Sequence, residues 1–430
     1  MTIEQQAADP GVPCERISTA SMVIAGLSTV IEWYDFTLYL YLVTVLSRVF
    51  FGTGGGSLSI TLAAFALAYL MRPLGAFVFG HMGDRHGRRL TMLASMALMT
   101  LAMLATALLP TRDQIGPAAG ALLIALRCVM AFAVGGEYTG VVAYLIEGAP
   151  PGRRGLITSL AAAASEIGGL LAAGIGALVL AALDAAAVSN WGWRLPFFFG
   201  AAMAAAVLLA RLRLDESPEF ERQRRVGSVP RRPALHALRD NRAGIARGFA
   251  ISALGSISYY VGITYVPAFL VATRAMTEAD ALGLATIAAV VVIAVTPLVG
   301  HVSDRVGRRP VLLGVTLLCA LMPVSLFAAM AGSGFAGALA GAIALAALGG
   351  AFSAVGAVAT AELLAGEGRL SGLAIGATGA TALFGGLTPF LAQIWIERTG
   401  LAIVPGVMIA VVALAVAPVL WLMPETRPRR

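Results

Sequence analysis

Apolar residues in this chain come in long blocks, separated by short breaks of Gly, Pro or charged residues. A helix needs about 20 apolar residues to cross the roughly 30 Å hydrocarbon core of a bilayer. Twelve blocks are long enough, over 20–50, 57–80, 90–109, 115–147, 156–182, 193–212, 245–272, 279–301, 310–331, 335–365, 370–395 and 400–423. Most connections are too short to hold a separate domain; the exception is 211–247. Residues 1–17 carry Glu4, Asp9, Pro10, Pro13 and Glu15 and lack the basic start and short apolar core of a signal peptide, so they predict a cytoplasmic tail. Residues 424–430 predict a second one.

Composition removes the soluble alternatives. Hydrophobic residues make up 59% and charged residues 12% of the chain, against roughly 45–50% and about 25% in ordinary soluble domains. A single water-soluble core cannot hide that excess, and disorder is excluded for the same reason. The net charge of +7 would raise nucleic-acid binding in a soluble protein, but its distribution points elsewhere. All 30 basic residues are arginine, and with a cytoplasmic amino terminus 23 of them fall at inside ends or in the middle loop. At most five, Arg48, Arg112, Arg194, Arg274 and Arg398, fall at outside ends. Such an excess sets orientation, so both termini are expected in the cytoplasm and no nucleic-acid partner is expected. Cys14, Cys128 and Cys319 lie far apart with no C-x-x-C spacing, which predicts neither a disulfide framework nor a zinc site. No bound cofactor or metal is implied.

The chain also repeats itself. Residues 80–89 read GHMGDRHGRR and residues 300–309 read GHVSDRVGRR, at an offset of 220. Glu147 and Glu362 recur at 215, as do Arg154 and Arg369, and Gly168-Gly169 recur as Gly385-Gly386 at 217. Six spans duplicated in parallel are how two-lobed secondary transporters are built, with a substrate site between the lobes. The expected architecture is an all-α membrane protein of twelve helices, with lobes over 18–212 and 245–423 and a cytoplasmic linker over 213–244.

The two G-x-x-x-D-R-x-G-R-R loops resemble the signature of the major facilitator superfamily. Glu32-Trp33-Tyr34-Asp35-Phe36, Arg72-Pro73-Leu74-Gly75 and Gly135-Gly136-Glu137-Tyr138 resemble elements of its metabolite:proton symporter branch. The resemblance covers nearly the whole chain. It implies a bacterial inner-membrane permease driven by protons, similar to those for citrate, 2-oxoglutarate, dicarboxylates, shikimate, proline or betaine. Its partners would be a small-molecule substrate, protons and the lipid bilayer, and a monomer is expected. The resemblance also implies a gating role for the loops and links Arg127 to proton transfer. Related permeases are similar to R-x-x-Q-G there, whereas this chain has Met130 and Ala131 in place of the amide and glycine.

Several residues are singled out by chemistry. Gly80 and Gly83 permit close approach of neighbouring helices, and Asp84 at a helix end can pair with arginine or cap a facing helix. With Arg88, Glu147 and Arg154 it is expected to form a cytoplasmic network that holds the lobes together in one state. Asp304, Arg308, Glu362 and Arg369 repeat that network less completely, and a static topology cluster is the other reading. Glu32 and Asp35 share one face of the first span. A carboxylate at membrane depth is paired, neutral or lines a wet cavity, so either is a proton-carrier candidate, or a structural partner of Arg72 or Arg127. Glu137 and Glu166 are further proton-coupling candidates, with Glu166 also a possible partner of Arg127. Arg72 and Arg127 are candidates for a substrate carboxylate. Tyr34, Tyr138, Tyr259, Tyr260 and Tyr265 are candidates for hydrogen bonds or an aromatic cage, or else are packing residues.

The function expected is proton-coupled symport of a small organic acid, a di- or tricarboxylate or related metabolite. The alternatives are a proline- or betaine-type osmolyte symporter, an efflux antiporter and a sensor without turnover. An enzyme would need a clustered nucleophile and base or a metal set, and the four histidines are dispersed. The short tail after Pro424-Glu425-Thr426, without a coiled-coil extension, favours organic acids over osmolytes.

Overall fold

An apolar block becomes a helix in lipid because a backbone N–H or C=O there has no water to bond, and the α-helix satisfies both within one segment. The computed structural model describes residues 17–52, 61, 67–150, 152–230, 232–273, 276, 278–332, 334–364 and 366–427, and the regular structure among them is helical throughout. The first six long helices are α1 (Thr19–Tyr41), α2 (Met71–His86), α3 (Arg88–Leu108), α4 (Ala118–Gly148), α5 (Arg154–Ala182) and α6 (Arg194–Arg211). The second six are α7 (Arg242–Tyr259), α8 (Glu278–Val306), α9 (Arg308–Leu321), α10 (Gly334–Glu362), α11 (Arg369–Thr399) and α12 (Val404–Trp421).

Among the described residues eight helices, α3 to α6, α8 and α10 to α12, are each long and apolar enough to cross a bilayer. Two bent pairs pass the same test when each is taken as one span: α1 with Val43–Phe51, at 62°, and α9 with Pro323–Gly332, at 43°. Pro323 accounts for the second bend, since its ring displaces the preceding turn and it has no N–H to donate. The other two of the twelve expected spans are the second and the seventh. Residues 53–60 and 62–66 of the second lie outside the described residues. The seventh is broken by a π-helical turn, Tyr260–Thr264, between α7 and the short helix Val266–Ala272.

Each half has its own core. Leu38, Met96, Met103, Trp193 and Phe197 are buried together in the first, and Leu254, Leu312, Phe327, Phe352 and Ile409 in the second. Leu101, Leu178, Leu209, Val411 and Trp421 stand exposed on the outside, where lipid accommodates them. Within the first lobe α2 and α4 touch backbone to backbone. A Cβ on Gly75 would lie 1.8 Å from the carbonyl oxygen of Phe132, and one on Gly135 would lie 2.0 Å from that of Arg72. Small residues give membrane helices this close approach, and here it fixes Arg72 against α4.

The lobes meet where α2 runs along α11 and α5 runs along α8. Gly80 faces the Leu370 carbonyl, and Gly155 faces that of Gly300. At the arginine-rich end a third apolar cluster joins Val142, Ala143 and Ile146 of α4 to Val358, Leu370 and Leu373 of the other lobe. That end is therefore sealed. The linker contributes two short helices, Pro218–Val226 and Pro233–Asp240, the first capped by the Ser217 hydroxyl, which accepts from the Phe220 N–H at 3.1 Å.

The α2–α4 contact yields a prediction. Gly135→Val is expected to overpack it and lower the thermal unfolding midpoint in detergent by several degrees, a cost of about 1–3 kcal/mol or more. Gly174→Ala, where a Cβ meets nothing within 4 Å, should leave the midpoint unchanged or slightly raised.

Candidate functional site

Helices from both lobes enclose a cavity of about 190 Å³. The first lobe contributes Glu32 and Trp33 of α1, Arg72 of α2 and Glu166 of α5; the second contributes Tyr259, Tyr260 and hydroxyls such as Ser256, Ser353 and Thr381. Tyr260 opens the π-helical turn after α7, and Thr378 and Thr381 of α11 lie in a similarly irregular stretch with two further π-helical turns. Turns of this kind recur at functional sites because they shift side chains out of regular helical register.

The two acids of α1 differ in their surroundings. Asp35 is held in a fork: Arg127 donates through Nη1 to Oδ2 at 2.7 Å and through Nη2 to Oδ1 at 3.0 Å. Arg127 also sits over the rings of Tyr39 and Phe197. Glu32 faces Arg72 at 3.6 Å, beyond good hydrogen-bond distance, and its Oε2 is buried with no hydrogen-bond partner among the described residues. The guanidinium of Arg72 rests on the rings of Phe36 at 5.2 Å and Tyr69 at 4.6 Å. Asp35 and Arg127 line a smaller adjoining pocket that Glu32 and Arg72 also reach.

Two adjacent tyrosines tie the second lobe to the first. Tyr259 donates to Glu166 Oε1 at 2.5 Å, and the Tyr260 and Tyr69 hydroxyls share a hydrogen bond of 2.5 Å. Glu166 is thus partnered by a phenol and not by Arg127, and no guanidinium pairs with it among the described residues.

Other candidates face away from the cavity. Tyr34 is buried in the first-lobe core and donates to the Pro196 carbonyl at 2.8 Å. Tyr265 donates to Gln393 Oε1 at 2.5 Å. The side chain of Tyr138 lies outside the described residues. Glu137 accepts from Ser95 Oγ at 2.6 Å and from both terminal nitrogens of Arg211, whose Nη1 also donates to the Met92 carbonyl at 2.7 Å. Both side chains are fully buried, so Arg211 is the partner of an intramembrane acid and not a charge of the linker surface. An acid within the 31-residue apolar helix α4 requires a cation, and that requirement was the available signal.

At the sealed end each loop acid caps a helix of the opposite lobe. Asp84 accepts from the backbone N–H groups of Leu370 and Ser371, at 3.3 and 2.9 Å, at the start of α11. Asp304 accepts from those of Gly155 and Leu156, both at 2.9 Å, at the start of α5. A helix amino terminus attracts negative charge, so both contacts are favourable between the lobes. Arg88 joins Asp84 to Glu147, at 3.5 and 3.2 Å, and Arg308 joins Asp304 to Glu362, at 2.8 and 3.2 Å. The remaining arginines cross over: Arg369 pairs with Glu147 at 2.9 Å and Arg154 faces Glu362 at 4.0 Å. The network expected around Asp84 is corrected accordingly, since Arg154 belongs with Glu362 and Arg369 with Glu147. Glu216 and Glu425 complete it. Each follows the last helix of its lobe and accepts from the first N–H groups of α3 (Arg88, 2.8 Å) or α9 (Arg308, 2.8 Å). Their recurrence after the sixth and twelfth helices, as Glu216-Ser217 and Glu425-Thr426, is the signal in the sequence that marks them.

Comparison with known proteins bears on the family and the fold. A family profile described as "Sugar (and other) transporter" matches residues 21–228, and one described as "Major Facilitator Superfamily" matches 276–430. The chain is 31% identical to an alpha-ketoglutarate permease of Escherichia coli (strain K12), covering 86% of each. It is 31% identical to a citrate-proton symporter of Klebsiella pneumoniae, covering 91% of this chain and 88% of the symporter. An ectoine/proline transporter of Corynebacterium glutamicum is 33% identical, covering 88% of this chain and 78% of that one. Among solved structures, a proton:xylose symporter bound to 6-bromo-6-deoxy-D-glucose superposes with a TM-score of 0.78 at 19% identity, covering 95% of this chain and 96% of that chain. A partially occluded inward open xylose transporter from E. coli gives 0.70 at 19%, covering 96% and 99%.

The crossed caps predict a graded effect. Asp84→Asn should weaken two charge-assisted hydrogen bonds by about 1.5–3 kcal/mol each at most, and raise labelling of a cysteine placed at Val142 from the arginine-rich side. Asp84→Asn with Asp304→Asn should raise it further; unchanged labelling in both would contradict a gating contact.

Proposed function

The chain belongs to the major facilitator superfamily, in its metabolite:proton symporter branch, and from that premise we propose that it carries a small carboxylate-bearing metabolite into a bacterial cell together with protons. In this reading the protein sits in the inner membrane with both termini in the cytoplasm, and the lobes, 18–212 and 245–423, joined by the linker 213–244, rock about the cavity between them by alternating access. The observation that carries it is the contrast between Glu32 and Asp35. Asp35 is clamped by Arg127 on both oxygens, whereas Glu32 reaches the cavity with one oxygen unpartnered among the described residues.

Glu32 is accordingly the proton carrier. A proton on its carboxyl removes the negative charge that Arg72 faces and leaves the planar fork of the guanidinium for a substrate carboxylate. Loss of that proton on the other side restores the Glu32–Arg72 pair and displaces the substrate. The Glu32 carboxylate and the solute carboxylate thus compete for one guanidinium, and a proton on Glu32 removes the competitor, so that proton and solute each favour the other's binding. Asp35 and Arg127 hold α1 to α4 while this happens. The caps of Asp84 and Asp304 keep the arginine-rich end shut until the loaded cavity turns to that side.

In proteoliposomes Glu32→Gln should abolish proton-driven accumulation and proton entry while retaining solute exchange at zero gradient. Full uphill uptake by Glu32→Gln would place the carrier elsewhere. Asp35→Asn should instead lower stability by about 3–5 kcal/mol, because it strands a buried guanidinium; thermal unfolding in detergent reads that loss.

A further inference from the structure

We propose that Glu166 carries a second proton: it takes one up when the lobes close over the cavity and returns it to water when they part at either end. The proposal deepens the symport reading, rests on it for alternating access, and adds to the proton assigned to Glu32.

The lobe that supplies each acid's partner carries the argument. Asp35 is held by Arg127 and Glu137 by Arg211, and all four belong to the first lobe. Lobes that rock as rigid bodies keep such pairs intact in every state. Glu32 faces Arg72 of the same lobe, so that contact changes when a solute takes the guanidinium. Glu166 differs from all of them. Its hydrogen-bond partner among the described residues is the Tyr259 hydroxyl of the second lobe, at 2.5 Å, and no guanidinium pairs with it there. Parting of the lobes therefore removes that partner and admits water, with no solute needed.

Position sets what closure costs. The cavity is lined along α5 from Ala162 to Glu166 and along α7 from Ile251 to Tyr260, so Glu166 and Tyr259 meet at the end farther from the arginine-rich seal. The Tyr69–Tyr260 bond of 2.5 Å joins the lobes there too, as does Trp33 against Tyr259, with centroids 5.4 Å apart. Glu166 is buried in this closed arrangement. Helix α7 faces it with the neutral phenols of Tyr259 and Tyr260, and α8 and α10 line the cavity with Thr296, Ser353 and Thr360, which carry no charge. The charged groups of α1 and α2 on the wall, Glu32 and Arg72, face each other, and Arg127 and Glu137 of α4 and Arg211 of α6 are paired as above. One phenol does not replace the water that an ionised carboxylate loses, and a proton removes that cost. Closing thus draws a proton from water onto a Glu166 oxygen, and opening gives it back. The Tyr259 hydroxyl donates to the neutral carboxyl as it does to the ionised one, so the contact between lobes survives the arrival of the proton.

Spin-label distances at equilibrium test this without any solute. One pair of labels at Gln114 and Leu401, exposed on connections at the far end, reports opening there, and a second pair at Leu90 and Val306, exposed at the arginine-rich end, reports opening at that end. Both are placed in the full-length chain in nanodiscs, with Cys14, Cys128 and Cys319 replaced by alanine. The population that neither pair reports as open is the closed one. One proton bound on closing makes the closed-to-open ratio fall by up to about tenfold for each unit of rising pH. Glu32→Gln should keep that slope, and Glu32→Gln with Glu166→Gln should lose it and stay mostly closed. Tyr259→Phe should retain the slope, because the phenol brings no charge. Infrared difference spectra between acid and alkaline protein should show a carboxyl band that persists in Glu32→Gln and vanishes in Glu166→Gln. Thermal unfolding establishes that each variant is folded. A flat ratio in folded Glu32→Gln, an undiminished slope in the double variant, or no carboxyl band lost in Glu166→Gln would each overturn the proposal. The two readings fail separately. Full uphill uptake by Glu32→Gln with the slope intact removes Glu32 and leaves Glu166, whereas a flat ratio beside uptake that depends on Glu32 removes Glu166 alone.

Discussion

A charge inside a bilayer has no water to turn to, so each must find its counterpart on another helix. The structure follows that constraint with few exceptions. Arg127 takes Asp35, Arg211 takes Glu137, Arg88 takes Glu147 and Arg308 takes Glu362, each pair joining two helices of one lobe. These pairs fix which faces of nearly uniform apolar helices look inward, because a misrotated helix would leave a charge in lipid. Where the pairing is incomplete, at Glu32 and Glu166, the wall borders a cavity. Incomplete pairing is costly in an apolar surrounding and is relieved by whatever enters, proton or solute.

Cavity and gate are carried by the same helices. Helix α2 bears Arg72 and Asp84, α5 bears Glu166 and the capped N–H groups of Gly155 and Leu156, and α11 bears Thr381 and the capped N–H groups of Leu370 and Ser371. Helix α8 bears Thr296 on the cavity wall and Asp304 at the gate. A change in charge balance at the cavity therefore acts on elements that also hold the sealed end, with no separate relay between them. The near-symmetry of the two caps follows from the internal repeat. The two crossed ion pairs are unequal, 2.9 Å for Arg369 with Glu147 and 4.0 Å for Arg154 with Glu362, so the repeat does not carry over to identical contacts.

Much of this was legible in the sequence. The apolar blocks, the repeated loops and the acids inside the first, fourth and fifth spans follow from the cost of charge and of unbonded backbone in lipid. What remained hidden was orientation about each helix axis. Tyr34, Tyr259, Tyr260 and Tyr265 have the same chemistry, and a helix apolar all round has no stripe to tell a core face from a cavity face. Tyr259 and Tyr260 reach the cavity because they continue the face of α7 that carries Ile251, Ser252, Gly255 and Ser256, up to the point where the π-helical turn begins. The exchange of Arg154 and Arg369 between lobes was hidden for another reason. Sequence places both at the right end of the molecule but does not say which helices are neighbours across the interface.

The central claim is that Glu32, and not Asp35, gives and takes the proton as the solute occupies Arg72. Infrared difference spectroscopy of the purified protein, recorded on adding a bound solute, reads carboxyl protonation directly. A protonated-carboxyl band that appears with solute, vanishes in Glu32→Gln and persists in Asp35→Asn is the result predicted. A band that persists in Glu32→Gln and vanishes in Asp35→Asn would contradict the account and move the proton to the acid that Arg127 clamps.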